Sequence, residues 1–132
     1  MTRKRLPPDD PREWLNRAKS ALAHARAVSA GVFFEDLCFD AQQAAEKAIK
    51  AVFIDRREHF PFIHDLEELL QRLDGNGLKI PKYVWEAEEL TDYAAFTRYP
   101  VAEEPVTPRQ YRRAVRIAAA VLRWAERQIE TA

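Results

Sequence analysis

The sequence predicts an all-α protein, an up-and-down antiparallel bundle of four to five helices forming one domain over residues 1–132. Three observations carry that expectation. Apolar residues recur at three- and four-residue spacing through long stretches, and nothing alternates with period two over a useful length. Prolines and glycines fall between these stretches, where short connections would join neighbouring helices.

The first helix begins in DPREWLNRAKSALAHARAVSAG, after a leading segment of about residues 1–9 read as flexible. Asp10 can cap, Pro11 suits the first helical position and Glu13 completes a capping box. Trp14, Ala18, Ala21, Leu22, Ala25 and Val28 form its apolar stripe, and Gly31 closes it. The second helix is expected from about Val32 to Arg57. At 100° per residue Phe34, Leu37, Ala41, Ala44, Ala45, Ala48, Ile49 and Val52 share one broad face, whose alanines allow neighbouring backbones to approach closely. Pro61 interrupts the pattern. HDLEELLQRL then gives a third helix with Leu66, Leu69, Leu70 and Leu73 inward, ended by Gly75, Asn76 and Gly77.

Pro81 opens a fourth helix, PKYVWEAEELTDYAAFTRY, presenting Val84, Ala87, Leu90, Tyr93 and Ala94 until Pro100 breaks it. Thr107, Pro108 and Gln110 repeat the capping logic and start a last helix that runs to about Glu130.

Composition narrows the function classes. At 47% hydrophobic and 32% charged, the chain of 132 residues has enough apolar content for a core without cross-links. No apolar run approaches the ~20 residues of a membrane span, and MTRKRLPPDD lacks the apolar stretch of a signal peptide, so a cytoplasmic protein is expected. The single cysteine, Cys38, allows no internal disulfide or cysteine-based zinc site and reads as a small buried hydrophobe. Twenty-one basic residues balance twenty-one acidic ones, so any attraction for nucleic acid must come from local clustering.

Such clustering occurs in the last helix. Tyr111, Ala114, Val115, Ala118, Val121, Leu122, Ala125 and Ile129 lie within about 60° of one direction. Arg109, Arg112, Arg113, Arg116, Arg123 and Arg127 gather around the opposite one. Arginine favours bidentate contact with phosphate or carboxylate. Three readings of this stripe stay open: a solvated face paired with acidic side chains such as Glu86 and Glu89, a contact with an acidic protein or second subunit, or a nucleotide- or RNA-phosphate surface.

The second helix raises a related question on its other side. Phe39 and Phe53 join Gln42, Gln43 and Glu46 away from the alanine stripe, an odd place for two phenylalanines if only water lies there. A symmetric dimer would bury the rings while the glutamines supply directional hydrogen bonds. The alternative is that the bundle curves another helix over them.

Only three glycines occur, so a Gly-rich phosphate loop is absent, and there is no His-Glu-x-x-His pair. In EHFPFIHD the irregular spacing of Glu58, His59, His64 and Asp65 favours capping and loop-stabilising roles over metal ligation. No metal or cofactor is expected.

Together, FDAQQAAEKAIKAVF, HDLEELL, LTDYAAFTRYP and the proline-started, alanine-rich last helix resemble the HEPN domain family of prokaryotic proteins over nearly the whole chain from Trp14 to Ile129. The resemblance implies a helical bundle, commonly homodimeric, working with a minimal nucleotidyltransferase in pairs that often behave as toxin and antitoxin. Many members are metal-independent ribonucleases with an Arg-x4-6-His motif near the start of the last helix. Arg98 in TRYP resembles that arginine, but the positions where the histidine would fall hold Glu103, Glu104 and Pro105. Arg57 to His64 and Arg17 to His24 share the spacing but lie elsewhere in the bundle. The resemblance thus implies a nucleotide- or RNA-associated binding protein using Arg98, Tyr99, Arg109, Arg112, Arg113 and Arg116. The alternative is a ribonuclease using Arg98 with a different second catalytic residue.

Overall fold

The computed structural model describes residues 4–96 and 105–130, and those residues form helices and connections without a strand. In chain order the helices are α1 (Pro11–Ala25), α2 (Phe34–Asp55), α3 (Leu66–Gly75), α4 (Lys82–Trp85), α5 (Tyr93–Phe96) and α6 (Pro108–Glu130). A 3-10 stretch, Glu86–Leu90, follows α4.

Asp10 caps α1 as expected, its carboxylate accepting from the Arg12 backbone N–H at 2.9 Å. Glu13 does not close the box. It accepts instead from the Leu6 N–H (2.9 Å) and from Arg17 (2.6 Å), while the Trp14 indole donates to the Pro8 carbonyl (2.8 Å). The described part of the leading segment is therefore tied to α1. The helix ends at Ala25, short of Gly31, and leaves Val28 57% exposed in the connection.

α2 is the central rod. Its predicted inward residues are buried except Phe34, which is half-buried, and so are Cys38, Gln42, Glu46, Lys50, Ala51 and Phe53. Burial around most of its circumference follows from its position: α1, α3, α5, α6 and the 3-10 stretch all pack against it. Alanine at 41, 44, 45, 48 and 51 removes side-chain bulk at those contacts and lets the helices close on one another.

Contacts fix the helix directions. Trp14, near the start of α1, meets Phe60, which also meets Phe53 near the end of α2, so α1 runs antiparallel to α2. Tyr111, in the first turns of α6, stacks on Phe34 at 4.8 Å and donates to the Ala25 carbonyl at 2.5 Å. α6 therefore starts beside the start of α2 and the end of α1. Between α2 and α3 the chain retraces α2 as a non-helical segment, from the level of Arg56 back to that of Gln42, where the His64 carbonyl lies 3.4 Å from the Gln42 amide nitrogen. The loop containing Pro61, rather than another helix, covers this side of the central rod.

The predicted fourth helix is broken into α4, the 3-10 stretch and α5. The reason is visible in its apolar spacing. Val84, Ala87 and Leu90 recur every three residues and align on one face at three residues per turn, and all three are buried. The Thr91 hydroxyl then accepts from the Leu66 N–H at 3.1 Å, joining this segment to the start of α3. In α6 the capping box forms as expected, with Gln110 N–H donating to Thr107 Oγ1 (3.1 Å) and Thr107 N–H to Gln110 Oε1 (2.9 Å).

Candidate functional site

Two polar surfaces were singled out by spacing, and the fold treats them oppositely. On α2, positions 42, 46 and 50 lie one turn apart and so stack along one face. The segment returning from Arg57 to His64 closes over that face. Glu46, 4% exposed, lies at the centre: its Oε1 accepts from Gln42 Nε2 (2.9 Å) and sits 2.8 Å from His64 Nδ1, and its Oε2 lies 2.9 Å from Lys50 Nζ. Gln43 Nε2 donates to Gln42 Oε1 (2.7 Å), and Lys47 Nζ to Gln43 Oε1 (3.0 Å). Lys50 also lies over the Phe60 ring, 5.0 Å from its centroid.

Burial raises the pKa of Glu46, but hydrogen bonds from Gln42, Lys50 and His64 outweigh it and hold the carboxyl below its ordinary value. Burial pushes Lys47 down, reinforced by Arg17 and Lys50 and opposed by Glu46 and Asp40. Each member of the ladder has its partners within the same chain, so it acts as a lock between α2 and the covering segment.

This corrects part of the dimer expectation. Phe53 is fully enclosed and meets Phe60 edge-on at 5.9 Å, Gln42 is fully buried, and Glu46 nearly so. A surface already covered inside the protomer cannot form the apolar centre of a subunit contact. Phe39 and Gln43 remain half-buried on α2. On the covering segment, Phe62 beside Phe60 is left in water, 97% exposed. His64 and Asp65 take the loop and capping roles expected of them, Asp65 Oδ1 accepting from the Glu68 N–H at 3.2 Å. Among the described residues no group of three His, Cys, Asp or Glu side chains is arranged to hold a metal ion.

The arginine face of α6 is exposed and divided. Arg113 is held by Glu89 (2.8 and 2.9 Å) and Glu86 (3.0 Å), the two acidic residues anticipated for this role, and Arg127 donates to the Tyr83 hydroxyl at 2.7 Å. Hydrogen bonding to Arg113 holds Glu89 below its ordinary pKa, and the charge of Arg116 adds to the effect. Arg109, Arg112, Arg116 and Arg123 are exposed, and no described carboxylate lies within ion-pair distance of them. Arg109 and Arg112 occupy the first turns of α6, which carry no acidic residue in the first turn. The backbone N–H groups at a helix start already favour anions, so cations there add to a local positive field instead of neutralising it.

Arg98 and Tyr99 lie outside the described residues. The chain on either side of them is anchored near the first half of α2. Tyr93 contacts Cys38, and the Val106 N–H donates to Glu35 Oε1 at 2.6 Å.

Sequence periodicity missed three buried residues of α6, Ile117, Ala119 and Trp124, which lie at the edges of the predicted stripe; α1, α4 and the 3-10 stretch all pack against this helix. It also gave no sign that an aromatic loop would cover Lys50 on α2.

Comparison with known proteins agrees with this architecture. A family model described as HEPN domain matches residues 11–128. The crystal structure of TT1696 from Thermus thermophilus superposes with a TM-score of 0.79 at 29% identity, covering 91% of this chain and 98% of that one. ST0689, described as an archaeal HEPN homologue, superposes with a TM-score of 0.71 at 25% identity, covering 96% of this chain and 99% of that one. No curated protein matches the sequence. Among the described residues no helix is long and apolar enough to cross a membrane.

Proposed function

The chain belongs to the HEPN domain family, and from that premise we propose that it is a nucleotide- or RNA-associated binding protein, acting as a homodimer with a minimal nucleotidyltransferase in a toxin–antitoxin-like pair. The observation that carries the binding role is the trio Arg109, Arg112 and Arg116, exposed at the start of α6 and in no described ion pair, although Arg116 lies within the field of Glu89. Arg98 and Tyr99, close in sequence to that helix start, would extend the surface, and Arg113 joins it only by releasing Glu86 and Glu89. Phe39 and Gln43 are the proposed α2 contribution to the subunit contact.

The purified chain, incubated with cellular RNA in the absence of metal beside an Arg98→Ala variant, tests the assignment. Intact RNA together with co-purification of a nucleotidyltransferase is the expected result. Cleavage that disappears in the variant would show instead a ribonuclease using Arg98. A protein that sediments as a monomer at micromolar concentration would remove the dimer.

A further inference from the structure

Three helices end together at one pole of the bundle. α6 starts beside the start of α2, and near its other end Gln128 lines a concavity of about 480 Å³ with Val52 and Asp55, which belong to the last turn of α2. α3 ends here too, because the carbonyl of its C-cap, Asn76, accepts from Arg56 Nη2 at 3.1 Å. Each such helix end carries roughly half a negative charge. Of the four longer helices only α1 begins at this pole, and Asp10 and Glu13 already answer its positive end.

Arg56, Glu58 and Leu78 complete the lining. Its one cation is already engaged: Arg56 Nε donates to Glu58 Oε2 at 3.1 Å beside the bond to Asn76, and Glu58 Oε1 also accepts from Asn76 Nδ2 at 3.2 Å. Asp55 is left over. It is half-buried, stands in no described hydrogen bond or ion pair, and occupies the end of a helix whose last turn holds no basic residue. Burial raises its pKa against the charge of Arg56. Arg57 and Lys79, the cations flanking the lining in sequence, are exposed and line no part of the concavity. A carboxylate at a helix C-terminus is unfavourable by itself, so this pole calls for one more cation than the chain supplies.

We propose that this concavity binds a primary alkylammonium group, with the charge at Asp55 and the methylene arm over Val52 and Leu78. The three donors of an ammonium can address a carboxylate and nearby acceptors together. Val52 is buried and Leu78 half-buried, which gives the arm an apolar floor. From Val52 to Asp55 the helix rises ~4.5 Å, close to the reach of a butyl chain. The volume falls inside the roughly 300–1,000 Å³ of ordinary ligand pockets. A lysine side chain of a protein partner and a free diamine present the same group. The site lies at the far end of α6 from Arg109 and Arg112 and stands independently of the role proposed for them.

Titration of the full, nitrogen-15-labelled chain with n-butylammonium, followed by amide chemical shifts, tests the assignment. Saturable shifts are expected at the amides of Asp55, Leu78 and Gln128, with n-butanol, the neutral counterpart, at least about tenfold weaker. Asp55→Asn should weaken n-butylammonium by about tenfold, the loss of one charged hydrogen bond. The same variant without ligand should keep its circular dichroism and unfold at an equal or higher denaturant concentration, since it removes an unfavourable charge from the helix end. Two further probes separate the sources. Binding of Nα-acetyl-lysine N-methylamide as tight as that of n-butylammonium would assign the site to a partner's lysine, and binding of 1,4-diaminobutane with the lysine amide excluded would assign it to a free diamine. Arg109→Ala and Arg112→Ala should leave all of these titrations unaltered. Absence of saturable shifts at these amides, equal affinity for n-butanol, or indifference to Asp55→Asn would overturn the proposal. So would a lowered unfolding midpoint in Asp55→Asn, which would mean that Asp55 is already matched within the chain.

Discussion

Glu46 and Lys50 form an ion pair at 2.9 Å with both side chains less than a tenth exposed, beneath a loop that contributes His64 to the carboxylate and Phe60 to the ammonium. Two charges leaving water together are tolerated because each keeps hydrogen-bond or ring partners, and the loss of one leaves the other stranded. This pair explains why a helix with charged residues on its outer side is nonetheless buried almost all round.

Glu46→Ala is therefore expected to cost about 3–5 kcal/mol in urea unfolding, because Lys50 would remain buried without its counter-charge. A combined replacement of Glu46 and Lys50 by apolar residues of similar size should cost far less. The pH dependence has a definite sign. Glu46 has a folded pKa held below its ordinary 4.5, so its contribution is present above that value and is lost as the pH falls through the lower folded pKa. Wild-type stability should decline as acid is added below about pH 4.5, and Glu46→Gln should remove part of that decline.

Arg57 follows the end of α2 with φ of +57°, the one described non-glycine residue in the left-handed region. The surrounding bonds, Glu58 N–H to Phe53 carbonyl (2.9 Å) and Arg57 N–H to Ile54 carbonyl (3.1 Å), are those of a Schellman ending, whose key position normally favours glycine. The same motif closes α3 with Gly77 at +97°. Arg57→Gly is expected to stabilise the fold by about 1 kcal/mol, read from the denaturation midpoint. An unchanged or lower midpoint would show that Arg57 contributes a contact outweighing its strain.

Cys38 is fully buried on α2, and its thiol is pushed up to about 11, first by burial and further by the charge of Glu35, against the hydrogen bond with Tyr93. The thiolate fraction near pH 8 is consequently very small. Ellman's reagent should titrate almost no thiol in the native protein and one equivalent after denaturation in guanidinium chloride. Rapid native reaction would mean that α2 opens readily at this level.

The helices were largely legible because each has a strong pattern or cap, as with Asp65 and the Thr107–Gln110 box. What escaped was set by tertiary partners. Phe53 and Gln42 read as surface residues because the loop that covers them lies on the far side of Arg57 in sequence and has no periodicity to announce its path. The three-residue spacing of Val84, Ala87 and Leu90 did signal a 3-10 turn, but over so short a run it is easily absorbed into a longer α-helical pattern. Of the candidate binding residues, exposure of the α6 arginines followed from their angular position, whereas the capture of Arg113 by Glu86 and Glu89 depended on where the fourth segment came to rest.

The most direct test of the account is the binding of fluorescently labelled single-stranded RNA, followed by anisotropy across a range of salt concentrations, for the wild type and the Arg109→Ala, Arg112→Ala, Arg116→Ala triple variant. The account predicts that the triple variant binds at least about tenfold more weakly and that the slope of log affinity against log salt falls by roughly two, three phosphate contacts having been removed. Equal affinity and an unchanged slope would contradict it and leave these arginines as an ordinary solvated face.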